Sequence, residues 1–254
     1  MNETSEHTDL NRREFLTRSA ATAGVALAPG VMLYSVAQAR PADEPVSSAV
    51  RWGLLIDTNK CASGCSDCVS ACERENGWGT GSTDESHSDA TQKAQWIRKV
   101  EVKNTETGHA FTLPMMCQHC ENPPCADVCP TGASFRRDDG IVLVDKHICI
   151  GCRYCMMACP YKARSFVHET LSDQKPYAPR GKGTVESCTL CVHRVDAGDS
   201  PACVEACTAE NHNAMLFGDL NDPASPIAKT VATYATTQIR ADLNLNPGVR
   251  YQGI

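Results

Sequence analysis

Hydrophobic positions along this chain come in short bursts separated by polar and cysteine-rich stretches. Trp52-Gly53-Leu54-Leu55-Ile56-Asp57 is an apolar run ending in Asp, and Ile141-Val142-Leu143-Val144-Asp145 repeats that plan. Both have the length and composition of buried strands. In each case three residues separate the Asp from a cysteine: Cys61 and Cys149. Ala133-Ser134-Phe135 and Ala214-Met215-Leu216-Phe217 are two further strand candidates. Residues 79–93 are polar and rich in Gly and Ser, which predicts a mobile surface loop.

The longest apolar stretch, Ser19 to Ala39, is broken by Pro29-Gly30 and is short for a membrane span. Asn11-Arg12-Arg13-Glu14-Phe15-Leu16 precedes it, and Ala37-Gln38-Ala39 closes it as a plausible cleavage site. This order reads as a twin-arginine export signal over residues 1–39. Asn11 and Thr17 are mild departures, since Ser or Thr and often Lys occupy those places. The expectation is a periplasmic protein exported already folded, with a mature chain starting near Arg40. After residue 40 no apolar run reaches spanning length, so no transmembrane span is expected in the mature chain.

The 254 residues hold 16 Cys but only 3 Trp, 5 Phe and 6 Tyr. Aromatic core material is scarce, so disulfides or metal must help to hold the fold. A formal net charge of −6 argues against nucleic acid as a partner.

The cysteines fall into four groups of four, with none left over. Cys61, Cys65, Cys68 and Cys72 are spaced C-x3-C-x2-C-x3-C. Cys117, Cys120, Cys125 and Cys129 are spaced C-x2-C-x4-C-x3-C, and Cys149, Cys152, Cys155 and Cys159 C-x2-C-x2-C-x3-C. Cys188, Cys191, Cys203 and Cys207 are spaced C-x2-C-x11-C-x3-C. With Pro160 the third group is the bacterial ferredoxin run. Three close thiolates on a tight loop reach three corners of one cubane. The fourth cysteine, about 6 Å further along a helical turn, is carried away from that cluster towards a second one. Structural disulfides rarely crowd this tightly, and zinc knuckles pair two doublets rather than triplets with a trailing Cys. Every group keeps all four ligands, which favours four [4Fe–4S] clusters over [3Fe–4S] ones.

From Cys61 to Leu220 the chain resembles the four-cluster iron–sulfur subunits of the DMSO-reductase family. The resemblance implies an α+β fold of two nested ferredoxin-like units, each holding two [4Fe–4S] clusters. One would comprise residues 50–115 with 186–220, the other residues 116–185, followed by a tail over 221–254. It also implies four ligand sets: Cys61, Cys65, Cys68 with Cys207; Cys188, Cys191, Cys203 with Cys72; Cys117, Cys120, Cys125 with Cys159; and Cys149, Cys152, Cys155 with Cys129. Two departures fall in one nested unit: the extra residue in Cys61-Ala62-Ser63-Gly64-Cys65, and Cys207-Thr208 in place of Cys-Pro. That start, Glu75-Asn76-Gly77-Trp78 and the 241–251 tail are most similar to the periplasmic subunits of dissimilatory sulfur metabolism complexes. The implied role is single-electron relay between an integral-membrane quinone-interacting subunit and a multihaem cytochrome c or other redox subunit. The alternative is the iron–sulfur subunit of a periplasmic molybdopterin oxidoreductase such as polysulfide reductase.

No nucleophile–base pair, nucleotide loop or substrate-metal motif is evident, so an electron-transfer subunit rather than a complete enzyme is expected. His119, His147, His193 and His212 meet no vacant iron site and are read as outer-shell or surface groups. Arg153, Lys162 and Arg164 read as a solvated basic face, or else as cations that offset cluster charge and raise a potential or dock an acidic partner. Met115-Met116 and Met156-Met157 read as packing, since no haem attachment motif occurs.

Overall fold

The computed structural model describes residues 44–79, 83–84, 86–172 and 174–254. The expected export signal lies outside the described residues. The apolar run at Trp52 forms strand β1 (Trp52–Asp57), and helix α1 (Asp67–Asn76) follows the first cysteines. A hairpin comes next, β2 (Ile97–Lys103) and β3 (Ala110–Met116). The middle of the chain gives α2 (Pro124–Asp127), β4 (Ser134–Arg136), β5 (Val142–Val144) and α3 (Tyr154–Ala158). Short strands β6 (Ser165–Phe166) and β7 (Val185–Glu186) lead to α4 (Val192–Asp196), α5 (Ala202–Ala209) and β8 (Met215–Asp219). Helix α6 (Pro226–Thr233) and strand β9 (Val249–Gln252) complete the order.

The architecture is α+β, with one motif built twice. In one copy β1 pairs antiparallel with β8, Leu54 opposite Phe217 and Ile56 opposite Met215, while α1 packs on α5. In the other, β4 pairs antiparallel with β5 and α2 packs on α3. The second copy lies within the sequence of the first. All four strand candidates are strands, displaced by a residue or two.

Residues 221–254, whose sequence announces no element, are part of the framework. β9 runs parallel to β1 on the side away from β8. β1 is buried on four successive residues, Gly53 to Ile56, so both its faces are covered, which explains why its sequence is apolar without alternation. Tyr251 is wholly buried; its hydroxyl donates to Pro114 O at 2.9 Å and accepts from Gln118 Nε2 at 3.1 Å. Arg51 joins three segments, donating to His119 O (2.9 Å), Gly140 O (3.2 Å) and Asn246 O (3.1 Å).

The described part of the 79–93 loop is anchored. Thr83 bridges Leu171, Asp84 N–H donates to Thr170 O at 3.0 Å, and Ser88 Oγ lies 2.6 Å from Glu169 Oε1. Buried Arg180, paired with buried Glu186 through two bonds of 2.9 Å, also donates to Gly77 O and Thr83 Oγ1. Cysteines interleave with Leu54, Ile56, Trp78, Trp96, Ile97 and Tyr251 in the core.

Candidate metal centres

The loops and helices bring the sixteen cysteines into four quartets. Cys61, Cys65 and Cys68 line one cavity with Cys207, at the junction of the first loop, α1 and the end of α5 (site A). Cys72, Cys188, Cys191 and Cys203 lie near one another as a second, buried quartet (site B). Cys117, Cys120 and Cys125 line a third cavity with Cys159 (site C), and Cys149, Cys152 and Cys155 a fourth with Cys129 (site D).

The C-x3-C spacing is what separates neighbours. On α1, Cys68 faces site A while Cys72, one turn on, faces site B. On α5, Cys203 faces B and Cys207 faces A. In the same way Cys125, within α2, faces site C and Cys129, just past its end, faces D, while Cys155 within α3 faces D and Cys159 at its end faces C. Sites A and B therefore adjoin through Cys68, Cys72 and Cys203, and sites C and D through Cys125 and Cys155.

A shared backbone device shapes the loops. The residue just before the second cysteine of every group has positive φ: Gly64 (75°), His119 (44°), Gly151 (70°) and Leu190 (54°). That conformation turns the chain sharply enough for two thiols to face one cage. It is costly for a side chain such as Leu190, and such strain gathers at functional sites. The extra residue in the first group leaves this register intact, because Gly64 still precedes Cys65. At Gly151 a Cβ would lie 2.2 Å from Gly183 O, so glycine is required there for space as well as for φ.

The donor chemistry fits iron-bound thiolates. None of the sixteen cysteines is in a disulfide. Several sulfurs accept N–H groups: Cys72 from Trp78 Nε1 at 3.2 Å and Asn76 Nδ2 at 3.5 Å, Cys207 from Ala214 N at 3.3 Å. Cys188 accepts from Leu190 N and Cys129 from Ser134 N, both at 3.4 Å, and Cys125 from Arg164 Nη2 at 3.0 Å. Burial pushes the thiols up, to about 11 at Cys68 and about 12 at Cys117 and Cys120, and neighbouring thiols push the same way. Cys188 and Cys203 are raised further by the same causes. Four thiolates crowded in a dry cage repel one another; a cationic iron core removes that penalty. Site D is the most open, since Cys152 is exposed.

The other candidate residues divide. His119 is not at the surface: it is 1% exposed, its Nδ1 accepts Val142 N–H at 3.0 Å, and burial lowers its pKa to about 3. It is a neutral internal brace. His193 pairs with Glu75 at 2.7 Å, His212 with Asp67 at 3.3 Å beside site A, and His147 is exposed. Lys162 and Arg153 are exposed, Arg153 lying 3.9 Å over the Phe166 ring. Arg164 departs from the solvated-face reading, because it is buried between cysteines of sites C and D. Met116 packs in the core and Met115 and Met156 against it, whereas Met157 is exposed. Arg51 was missed in the sequence: a lone Arg before a strand carries no local signal of its three long-range partners.

Two models of the 4Fe-4S dicluster domain match the chain, over residues 60–133 and 109–220. The class is thereby a ferredoxin-like protein of repeated dicluster type, and the two domains with sixteen cysteines support four [4Fe–4S] clusters. The chain is 38% identical to the Hdr-like menaquinol oxidoreductase iron-sulfur subunit 1 of Archaeoglobus fulgidus, over 95% of this chain and 97% of that one. It is 36% identical to a tetrathionate reductase subunit of Salmonella typhimurium (99% and 91%) and 38% to a sulfite dehydrogenase subunit of Allochromatium vinosum (78% and 81%). The chain belongs to the iron–sulfur electron-transfer subunits of the DMSO-reductase family. Among the described residues no helix is long and apolar enough to cross a membrane.

Proposed function

We propose that this chain is a periplasmic, DsrO-like subunit of a DsrMKJOP-type complex, relaying single electrons in dissimilatory sulfur metabolism. Its partners are an integral-membrane quinone-interacting subunit and a multihaem cytochrome c or other redox subunit. The twin-arginine signal over 1–39 delivers it folded, and membrane association comes through partners. The four quartets are the ligand sets: Cys61, Cys65, Cys68, Cys207 for site A; Cys72, Cys188, Cys191, Cys203 for B; Cys117, Cys120, Cys125, Cys159 for C; Cys129, Cys149, Cys152, Cys155 for D.

The observation that carries this reading is the contact between quartets. A thiol one helical turn from its neighbour holds the next cage, so two cages lie side by side in each half of the molecule. Bound clusters supply the one-electron couple; the protein sets their spacing, covers them and tunes them through N–H groups on sulfur. The menaquinol oxidoreductase relative supports a quinone-linked partner, and the Cys61–Cys65 start with the 241–251 tail supports the DsrO-like assignment.

The test is iron and acid-labile sulfide analysis of the exported protein. We expect roughly sixteen iron per chain for four cubanes. An iron-free, folded protein would sink the proposal. The tetrathionate reductase and sulfite dehydrogenase relatives favour a second reading, a partner of a large molybdopterin subunit. Copurification separates the two: a cytochrome c and a membrane subunit support the first, a molybdenum protein the second.

A further inference from the structure

Arg164 stands out among the buried charges. Its side chain is 6% exposed, and it lines site C. Nη2 donates to Cys125 Sγ at 3.0 Å, and the guanidinium also lies beside the thiol of Cys155, a site D cysteine. Its other two nitrogens, Nε and Nη1, are buried without any protein partner. The cysteines around it are Cys125, Cys117 and Cys155.

Such an arrangement is costly if the cages hold only neutral thiols. A guanidinium keeps its proton at any ordinary pH, and a buried cation lacking a counter-charge is strongly destabilising. Two unsatisfied N–H donors add to the cost. The cost disappears if the counter-charge is an anionic cluster on each side, with inorganic sulfides as the missing acceptors. Four thiolates around an oxidised cubane core leave roughly two negative charges per cluster.

We infer that Arg164 is a fixed cation shared by the clusters of sites C and D, bonded to Cys125 Sγ, placed beside Cys155 and joined through Nε and Nη1 to cluster sulfides, and that it raises both reduction potentials together. The inference rests on the ligand sets proposed above. Reduction takes an oxidised cluster, [4Fe–4S]2+, plus one electron to [4Fe–4S]+. The arginine neither gains nor loses a proton, and it stabilises the more negative, reduced form. Because both clusters feel one cation, their potentials rise in step, and an electron crossing between them meets no added energy step.

The test is a redox titration followed by electron paramagnetic resonance on the full-length holoprotein, comparing wild type, Arg164→Gln and Arg164→Lys. In Arg164→Gln two of the four midpoints should fall by at least tenfold in the reduction equilibrium, about 59 mV for a one-electron couple, while the other two hold. Arg164→Lys should recover part of that loss, since it keeps the charge without the planar fork. The inference is overturned if no midpoint moves, if only one moves, or if all four fall together. Wild type without iron indicts the ligand sets, whereas loaded clusters with unmoved midpoints indict Arg164 alone. Should Arg164→Gln fail to load, wild type labelled at the arginine side-chain nitrogens decides the matter. Nitrogen hyperfine coupling to both reduced clusters supports the shared cation, and its absence from either overturns it.

Discussion

At the scale of single residues, positive φ marks the turns around the cages. Pairs of equivalent positions show how tightly each is specified. Three residues after the last cysteine of the second group comes Gly132, with φ 69°; the same place after the third group is Lys162, with φ 52°. Lys162 is exposed, so its side chain gains no burial in return for the left-handed conformation. Lys162→Gly is expected to stabilise the loop by about 1 kcal/mol. The measurement is the guanidinium concentration at which the sulfur-to-iron absorbance bleaches, which should rise; a fall would mean that the Lys162 charge matters more than its backbone. The cysteines themselves were legible in the sequence because ligand spacing is a local property. The burial of Arg164 was not, since nothing in Tyr161-Lys162-Ala163-Arg164 distinguishes the exposed cation from the enclosed one.

At the scale of elements, the strands flanking the cysteine groups could be read from their apolar runs, to within a residue or two. β9 could not. Val249-Arg250-Tyr251-Gln252 is too short and too polar to announce itself, and its partner lies almost two hundred residues earlier, at Leu54 to Asp57. What fixes it is tertiary. Gly248 N–H donates to Gln118 O at 2.9 Å, Cys120 bridges Pro247, and Tyr251 reaches Pro114 and Gln118. Tyr251→Phe removes the hydroxyl from a fully buried place, taking a donor from Pro114 O and leaving Gln118 Nε2 only its bond to Met116 O. Gln118 Oε1 is already without a partner. The expected cost is about 1–3 kcal/mol, seen as earlier bleaching in denaturant with unchanged iron content at the start. An unchanged bleaching midpoint would show that the tail is held by its backbone pairing alone.

At the scale of the whole molecule, aromatic residues are few and the thiols occupy the centre. Cysteines are part of the core cluster, and the fold is expected to depend on the clusters they hold. Chelation of iron under reducing conditions, without denaturant, is expected to abolish the near-ultraviolet dichroism of Trp78 and Trp96, both buried beside cysteines. Retention of that signal in iron-free protein would show a self-sufficient apolar core. The nesting of one repeat inside the other was available only through family resemblance, because spacing reports which thiols are close in sequence and not which cage a distant one completes.

That nesting dictates an order of biosynthesis. Sites C and D need no cysteine beyond Cys159, so a ribosome has released all their ligands while much of the polypeptide is still unmade. Site A waits for Cys207 and site B for Cys203, and β1 stays without its parallel neighbour until Val249 emerges. A chain that took up iron as it was made would therefore fill from the middle outwards, with Cys61, Cys65, Cys68 and Cys72 waiting longest for their partners.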